Sequence, residues 1–281
     1  MQRGNLAAAR TKPGTTGPLR LHVLRRDRLS PHFMRVTLGG GDIARFRPMG
    51  HDQWFRLFLP APRGTAASLD RVPERLTTLS YLKLLAAPKD ARPVLRNYTV
   101  RAYRPDGPDG PELDVDFVLH GDGHGAAPGP ASAWAGNCSA GDAVVLVDEG
   151  IGFNPPDGVR RFALAADESG LPALAGVLAS LPADATGTAV AEVPTADDRQ
   201  EVSSPPGIEV VWVERGATGP PVPGAAALTR ARELPLPDGP FYGWAVGESG
   251  LATGLRRHWV EQGVPKDHIM FCGYWKAGRG H

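Results

Sequence analysis

The sequence predicts a two-domain protein of the β + α/β class, a six-stranded antiparallel β-barrel followed by a parallel α/β domain. Three observations carry that prediction. The first half is a series of short runs with strand-type alternation, punctuated by Gly, Pro and Asp. The second half alternates continuous apolar runs, the mark of strands buried on both faces, with segments at helical spacing. The pattern changes at about residue 154, and 281 residues suffice for two domains with separate cores. The expected division is 1–15 as a disordered leader, 16–154 as the barrel and 155–281 as the α/β domain.

The leader carries basic side chains but lacks the apolar run of a signal peptide. Leu19–Gly40 then holds two strand-type runs, His22–Arg25 and Phe33–Leu38, with a turn at Ser30-Pro31. Trp54–Pro60 alternates apolar and polar positions and stops at proline. Residues Thr65–Arg92 break the rhythm and are expected to contain a short helix. Val94–Arg104, Glu112–Gly121 and Ala143–Gly150 complete the six runs. Beyond the boundary, Arg161–Asp167, Gly187–Val193, Ile208–Gly216, Phe241–Glu248 and His268–Trp275 read as strands. Leu171–Pro182 and Gly254–Gly263 read as helices.

Composition removes several function classes. A net charge of +1 argues against broad nucleic-acid binding, so an anionic partner has to be caught by a local basic cluster. No apolar stretch approaches the length of a membrane span. Cys138 and Cys272 are the only cysteines, too few to ligate an iron–sulfur cluster. With the missing signal they favour a reducing, cytoplasmic setting. None of the eight histidines sits at HExxH or comparable spacing, so no metal site is expected.

Two strings in the first half suit a ligand with a flat ring and a diphosphate. In Arg96-Asn97-Tyr98-Thr99-Val100-Arg101, strand alternation puts Arg96, Tyr98 and Val100 on one side and Asn97, Thr99 and Arg101 on the other. Tyrosine can lie against a ring and arginine can hold phosphate oxygens bidentately. The second string runs from Asp116-Phe117-Val118-Leu119-His120-Gly121 to Gly129-Pro130-Ala131-Ser132-Ala133-Trp134-Ala135. There a strand feeds Gly-rich turns and a short helix whose free N–H groups form a ready phosphate site.

These strings, in this order and at this distance, resemble the siderophore-interacting protein family, a branch of the ferredoxin-reductase-like flavoenzymes. Its FAD signature is similar to Arg-x-Tyr-Thr-x-Arg, then a strand ending in His-Gly, then Gly-Pro-Ala-x-x-Trp-Ala. Every fixed position is present here, although His124–Pro128 is an insertion. The resemblance implies that Arg96, Tyr98, Thr99 and Val100 hold the isoalloxazine and ribityl chain and Arg101 the pyrophosphate. It further implies that Val118, His120, Gly129, Pro130, Ala131 and Ser132 line the ribityl–diphosphate portion, with Trp134 bracing the helix or touching the cofactor.

The second half extends the resemblance. Asp167-Glu168-Ser169-Gly170-Leu171-Pro172-Ala173 follows the first buried strand and is similar to the family's Asp-Glu-Thr-x-Leu-Pro-Ala. It lies at the carboxyl end of a strand, where doubly wound sheets bind ligands, although no GxGxxG is present. The Ser169 hydroxyl either caps the helix or meets a cofactor phosphate. Glu192 is placed to hydrogen-bond an adenosine ribose and Arg199 to meet a 2′-phosphate, so the donor is NADPH or NADH. Trp244-Ala245-Val246-Gly247-Glu248, Leu255-Arg256-Arg257 and Gly273-Tyr274-Trp275-Lys276 match the family's closing pattern. By resemblance Glu248 belongs to the cofactor site, and Tyr274 or Trp275 either approaches the flavin or belongs to the core.

The family gathers anionic ferric chelates with a basic triad, which the resemblance assigns here to Arg56, Lys276 and one of Arg256 or Arg257. The implied activity is reduction of a ferric siderophore by a nicotinamide through FAD, with no protein acid, base or nucleophile. A monomer is expected. Two alternatives stay open: a ferredoxin- or flavin-type reductase with another acceptor, and a redox-inactive siderophore-binding protein.

Overall fold

Among the described residues, the alternation of the first half is realised as seven strands, one more than the sequence runs suggest. They are β1 (Leu19–Ser30), β2 (Phe33–Gly39), β3 (Trp54–Leu59), β4 (Val94–Thr99), β5 (Ala102–Gly107), β6 (Gly110–Val118) and β7 (Ala143–Gly150). The computed structural model describes residues 4–6, 10–14, 17–61, 66–74, 79, 82, 84, 86, 88, 92–119, 129–216 and 218–278. The chain forms two compact units. The antiparallel unit is Lys12–Met49 with Gln53–Gly150; the parallel unit is Met1–Thr11, Gly50–Asp52 and Ile151–His281.

In the antiparallel unit the strand order is β4-β3-β7-β1-β2-β6-β5. The extra strand comes from a corner inside the expected run Val94–Arg104. The Val100 N–H donates to Gln53 O on one side at 2.8 Å, and the Arg101 N–H to Asp114 O on the other at 2.9 Å. Strands β4 and β5 are the two edges of the sheet and are consecutive in the chain, so this corner curls the sheet upon itself. Leu113, Val115 and Phe117 of β6 face the interior with Leu19, Leu21, Val36, Leu38, Phe55 and Leu57. Each such side chain contributes about 1.5–3 kcal/mol by leaving water. A 3₁₀ turn at Ala66–Arg71 occupies part of the helix expected over Thr65–Arg92, and most of the remainder lies outside the described residues. Helix α1 (Pro130–Asn137) sets Ala131 and Ala135 into the same core.

The parallel unit contains β8 (Arg161–Ala166), β9 (Thr186–Val193), β10 (Gly207–Glu214), β11 (Tyr242–Glu248) and β12 (Ile269–Trp275). All pair in parallel, in the order β10-β9-β8-β11-β12. The order reverses between β8 and β11, which makes their carboxyl ends the switch point of the sheet. Helix α2 (Leu171–Ser180) is buried along most of its length, as its Leu/Ala composition requires. Helix α3 (Ala225–Glu233) was not foreseen. Its start is held by the Glu192 carboxylate, which accepts from Gly224 N at 2.9 Å and Ala227 N at 2.7 Å. Helix α4 (Ser249–Glu261) begins before the expected Gly254, because Glu248 caps it by accepting from Gly250 N.

Two short segments from earlier in the chain also belong to this unit. Asp52 is 1% exposed and accepts from Gly152 N and Phe153 N, both at 2.9 Å, and from Trp244 Nε1 at 3.4 Å. Within the leader expected to be disordered, Gly4, Asn5 and Thr11 are paired. Gly4 forms a β-bridge with Cys272, and Thr11 one with Ile151. Asn5 supplies the reason: its side-chain amide donates to Ile269 O at 2.7 Å and accepts from Phe271 N at 3.0 Å, as a strand residue would. A Cβ on Gly4 would lie 2.5 Å from Phe271 O, so only glycine allows this approach. No helix among the described residues is long and apolar enough to cross a membrane.

Candidate functional site

Strand β4 and the corner after it carry the Arg96–Arg101 string. Arg96 is half-buried and its Nη1 donates to Leu95 O at 2.7 Å. Tyr98 packs on Phe117 of β6 with ring centroids 4.3 Å apart, and Phe117 packs on Trp134 of α1 at 5.7 Å. This aromatic run joins the two strings that are separate in the sequence. Burial pushes the Tyr98 phenol up, so it stays neutral. Thr99 is buried and Asn97 exposed. Val118 ends β6, while His120 and the His124–Pro128 insertion lie outside the described residues.

Helix α1 opens on exposed Gly129 and Pro130, with Ala131 and Ser132 buried behind them and no side-chain cap. Its N-terminal dipole end therefore points outward. Arg101 is largely buried, its side chain 20% exposed, with Nε 3.5 Å from Asp116 Oδ2. Burial lowers its pKa and Asp116 opposes that shift. The Trp54 Nε1 group, on the residue that pairs with Thr99, is buried and has no partner among the described residues. Arginines, a packed tyrosine, an orphan N–H and an uncapped helix start are a donor set that fits a diphosphate joined to a planar ring.

In the parallel unit the expected residues gather at the carboxyl ends of β8 and β11. Asp167 is fully buried. Its Oδ1 accepts from Ser169 N at 2.9 Å and Ser169 Oγ at 2.6 Å, and its Oδ2 from Glu248 N at 2.6 Å. Burial, with the Glu168 charge second, pushes the Asp167 carboxyl up to about 7. Gly247 has φ 125°, and a Cβ there would lie 2.5 Å from Asp167, so glycine is required for this contact. The Ser169 hydroxyl is thus engaged by Asp167 within its own turn. Glu248 also accepts from Ala277 N at 3.2 Å, and Ser249 Oγ donates to Trp275 O at 2.7 Å, which ties the end of β12 to this turn.

The structure corrects the ribose reading of Glu192. Glu192 is fully buried, capping α3 and bonding Arg215 Nη1 at 2.7 Å, which leaves it no access to a ribose. Arg199 pairs with Glu214 at 2.6 Å. Glu168 is likewise gripped by Arg215, at 2.8 and 3.0 Å. Arg215 was missed in the sequence, because a lone arginine after a strand carries no signal until the acids it bridges are known.

The four expected substrate-binding cations differ in their surroundings. Arg56 pairs with Glu149 at 2.8 Å. Arg256 lies over the Phe271 ring at 5.2 Å. Arg257 is exposed and its Nε donates to Thr253 O at 3.3 Å on its own helix. Lys276 is exposed. Sequence reading also passed over the alternation of Glu112, Asp114 and Asp116, all buried on one face of β6; acids at every second position, with Leu113, Val115 and Phe117 between, were a legible signal.

Comparison with known proteins agrees with both units. Residues 22–151 match the model of the siderophore-interacting FAD-binding domain, and residues 159–278 that of the siderophore-interacting protein. The chain is similar to the ferric vibriobactin reductase ViuB of Vibrio cholerae, 29% identical over 270 residues, covering 93% of this chain and 90% of the relative. It is similar to the NADPH-dependent ferric-chelate reductase of Escherichia coli, 26% identical over 260 residues and 92% of each chain. The crystal structure of a siderophore utilization protein from T. fusca superposes with a TM-score of 0.74 at 30% identity, over 96% of this chain and 97% of that one. On the sequence of both halves and on the fold, the chain belongs to the siderophore-interacting protein family.

Proposed function

We propose that the protein is an FAD-dependent NAD(P)H:ferric-siderophore reductase that releases iron as Fe(II). The observation that carries this reading is the closing corner of the antiparallel sheet. There Arg101 stands largely buried with its Nε 3.5 Å from Asp116, three residues after Tyr98, whose ring packs in the Tyr98–Phe117–Trp134 run. Arg101, with the start of α1, holds the diphosphate; Tyr98 and Thr99 border the ring and ribityl chain. Bound FAD accepts hydride from a nicotinamide and passes electrons singly to ferric iron, chemistry that no side chain supplies. The Asp167–Ser169 turn and Glu248 shape the nicotinamide side at the switch point of the parallel sheet. The names of the relatives support a ferric chelate as acceptor, and that of the Escherichia coli relative supports NADPH as donor.

Arg257 and Lys276 of the parallel unit, both exposed, attract the anionic chelate by charge. Cys138 and Cys272 are free and buried, their thiols pushed up to about 11 and about 12 by burial, which suits a reducing cytoplasm.

The test is anaerobic. The purified protein should carry a flavin absorbance that NADPH or NADH bleaches and a ferric siderophore restores, with Fe(II) trapped by a chromogenic chelator. Arg101→Ala should weaken FAD by about ten- to a hundredfold, the worth of a charge-assisted bidentate contact. Bleaching without restoration by any ferric chelate would assign a different acceptor.

A further inference from the structure

Trp54 opens β3 and pairs with Thr99, the last residue of β4. This rung lies beside the corner, which closes one step on, where Val100 N–H donates to Gln53 O at 2.8 Å. Phe55, Leu57 and Leu59 of β3 belong to the core of the sheet, and Tyr98 of β4 packs against that core. Alternation therefore turns Trp54 and Thr99 to the other face, as direct cross-strand neighbours. On the opposite side of β3 the ladder is irregular. Trp54 pairs with Gly150 of β7 and Phe55 with Asp148, so Glu149 is passed over and its side chain meets Arg56 at 2.8 Å. Gly150 stands at φ 84° in this bulge, a device that re-aims the side chains next to it.

The indole of Trp54 is partly exposed, yet its Nε1 is buried and has no hydrogen-bond partner among the described residues. An indole nitrogen can only donate, and a buried donor left unmet destabilises the chain that carries it. Packing accounts for the ring system and not for the N–H. The FAD reading above sets Thr99, the neighbour across the rung, beside the isoalloxazine, whose pyrimidine side bears two carbonyl oxygens. We propose that Trp54 Nε1 donates a hydrogen bond to a carbonyl oxygen of the isoalloxazine, which makes Trp54 a cofactor-binding residue outside the Arg96–Arg101 string. The pyrimidine side gains electron density when the flavin is reduced, so a donor there holds the reduced cofactor more tightly than the oxidised one. This inference rests on the FAD reading.

The experiment titrates flavin-free protein with FAD and, separately, with riboflavin, which has the ring but no phosphate, following quenching of flavin fluorescence. Trp54→Phe is expected to weaken both ligands by a similar factor, roughly three- to tenfold, because the contact is to the ring they share. Trp54→His loses as much packing but sets Nε2 where the indole has Nε1, and is expected to bind both within about twofold of the unmodified protein. The midpoint potential of FAD bound to Trp54→Phe is expected to fall by about 30 mV, a tenfold change in the preference for reduced over oxidised flavin in a two-electron couple. Should Trp54→Phe not fold, site-specific replacement of Trp54 by 3-benzothienylalanine, which has the indole's shape with sulfur for the N–H, repeats every measurement. Unmodified affinity for both ligands with an unchanged potential overturns the proposal. So does a loss confined to FAD, which moves the contact to the diphosphate, and so do equal losses in Trp54→Phe and Trp54→His, which leave Trp54 a packing residue. Failure of the unmodified protein to bind FAD overturns the functional reading itself.

Discussion

Buried carboxylates occur in both units, and those of β6 differ from Asp52 and Asp167 of the parallel unit, with which Asp148 belongs: held by Gly150 N and Gln53 Nε2 in the antiparallel unit, it too is raised by burial. On β6 each acid is met by guanidinium. The hydrogen bond from Arg25 holds Glu112 down to about 2, and Arg104 holds Asp114 below the usual range although burial works against it. In the parallel unit Asp52 and Asp167 are met by neutral backbone and side-chain donors, and burial wins, raising both. Arg215, shared by Glu168 and Glu192, is the exception there. Burial alone therefore does not set a carboxylate's ionisation; what matters is whether its partner brings a full charge or only a dipole.

The largest expected effect tests that distinction by removing one partner from each unit. Arg104→Met strands Asp114, which is 3% exposed, and should cost about 3 kcal/mol in urea unfolding, since a buried charge loses its counterion. Asp52→Asn keeps an oxygen for Gly152 and Phe153 and loses only the long Trp244 contact, so about 1 kcal/mol is expected. Equal costs would erase the comparison.

A smaller effect follows from pH, and its sign differs between Glu112 and Asp167. Glu112 has a folded pKa below its ordinary value, so its contribution is complete above the ordinary carboxylate range and is lost as pH falls toward about 2. Asp167 has a folded pKa raised to about 7, so the folded state holds its proton longer than the unfolded chain does. Its contribution is complete at acid pH and is lost as pH rises toward about 7. In unfolding free energies measured across pH, Glu112→Gln should flatten the acid side and Asp167→Asn the side between the ordinary carboxylate range and neutrality. A slope unchanged by either substitution removes that residue from the account.

The smallest effect sharpens the picture around Asp167. Ser169→Ala deletes the 2.6 Å hydroxyl bond that favours the ionised carboxyl. It should cost about 1 kcal/mol above neutrality and less at acid pH, where the protonated form needs that donor less. A cost independent of pH would mean that the hydroxyl serves only the turn.

The strands of both units were legible because their apolar positions follow either period two or unbroken runs. The corner at Val100-Arg101 was not, since neither residue is a turn former and the bend is imposed by Gln53 and Asp114 from other strands. Helix α3 was hidden for a similar reason: only Ala227 of its residues is buried, and its start is fixed by Glu192 from far back in the chain. The Arg96–Arg101 string stood out as a contiguous pattern. The row of arginines beside it did not, because Arg25, Arg35, Arg101 and Arg104 are brought together only by strand register.

The docking of Gly4 and Asn5 along β12 bears on how the protein is handled. β12 is the outermost strand of the parallel sheet, and an open strand edge is a template for stacking one molecule on the next. Asn5 occupies the exposed donor and acceptor of that edge at Phe271 and Ile269. Clipping by a protease, or an affinity tag that pulls these residues away, therefore uncovers an adhesive border. Solubility and shelf life of a recombinant preparation then depend on an N-terminal stretch that, judged by composition alone, looks expendable.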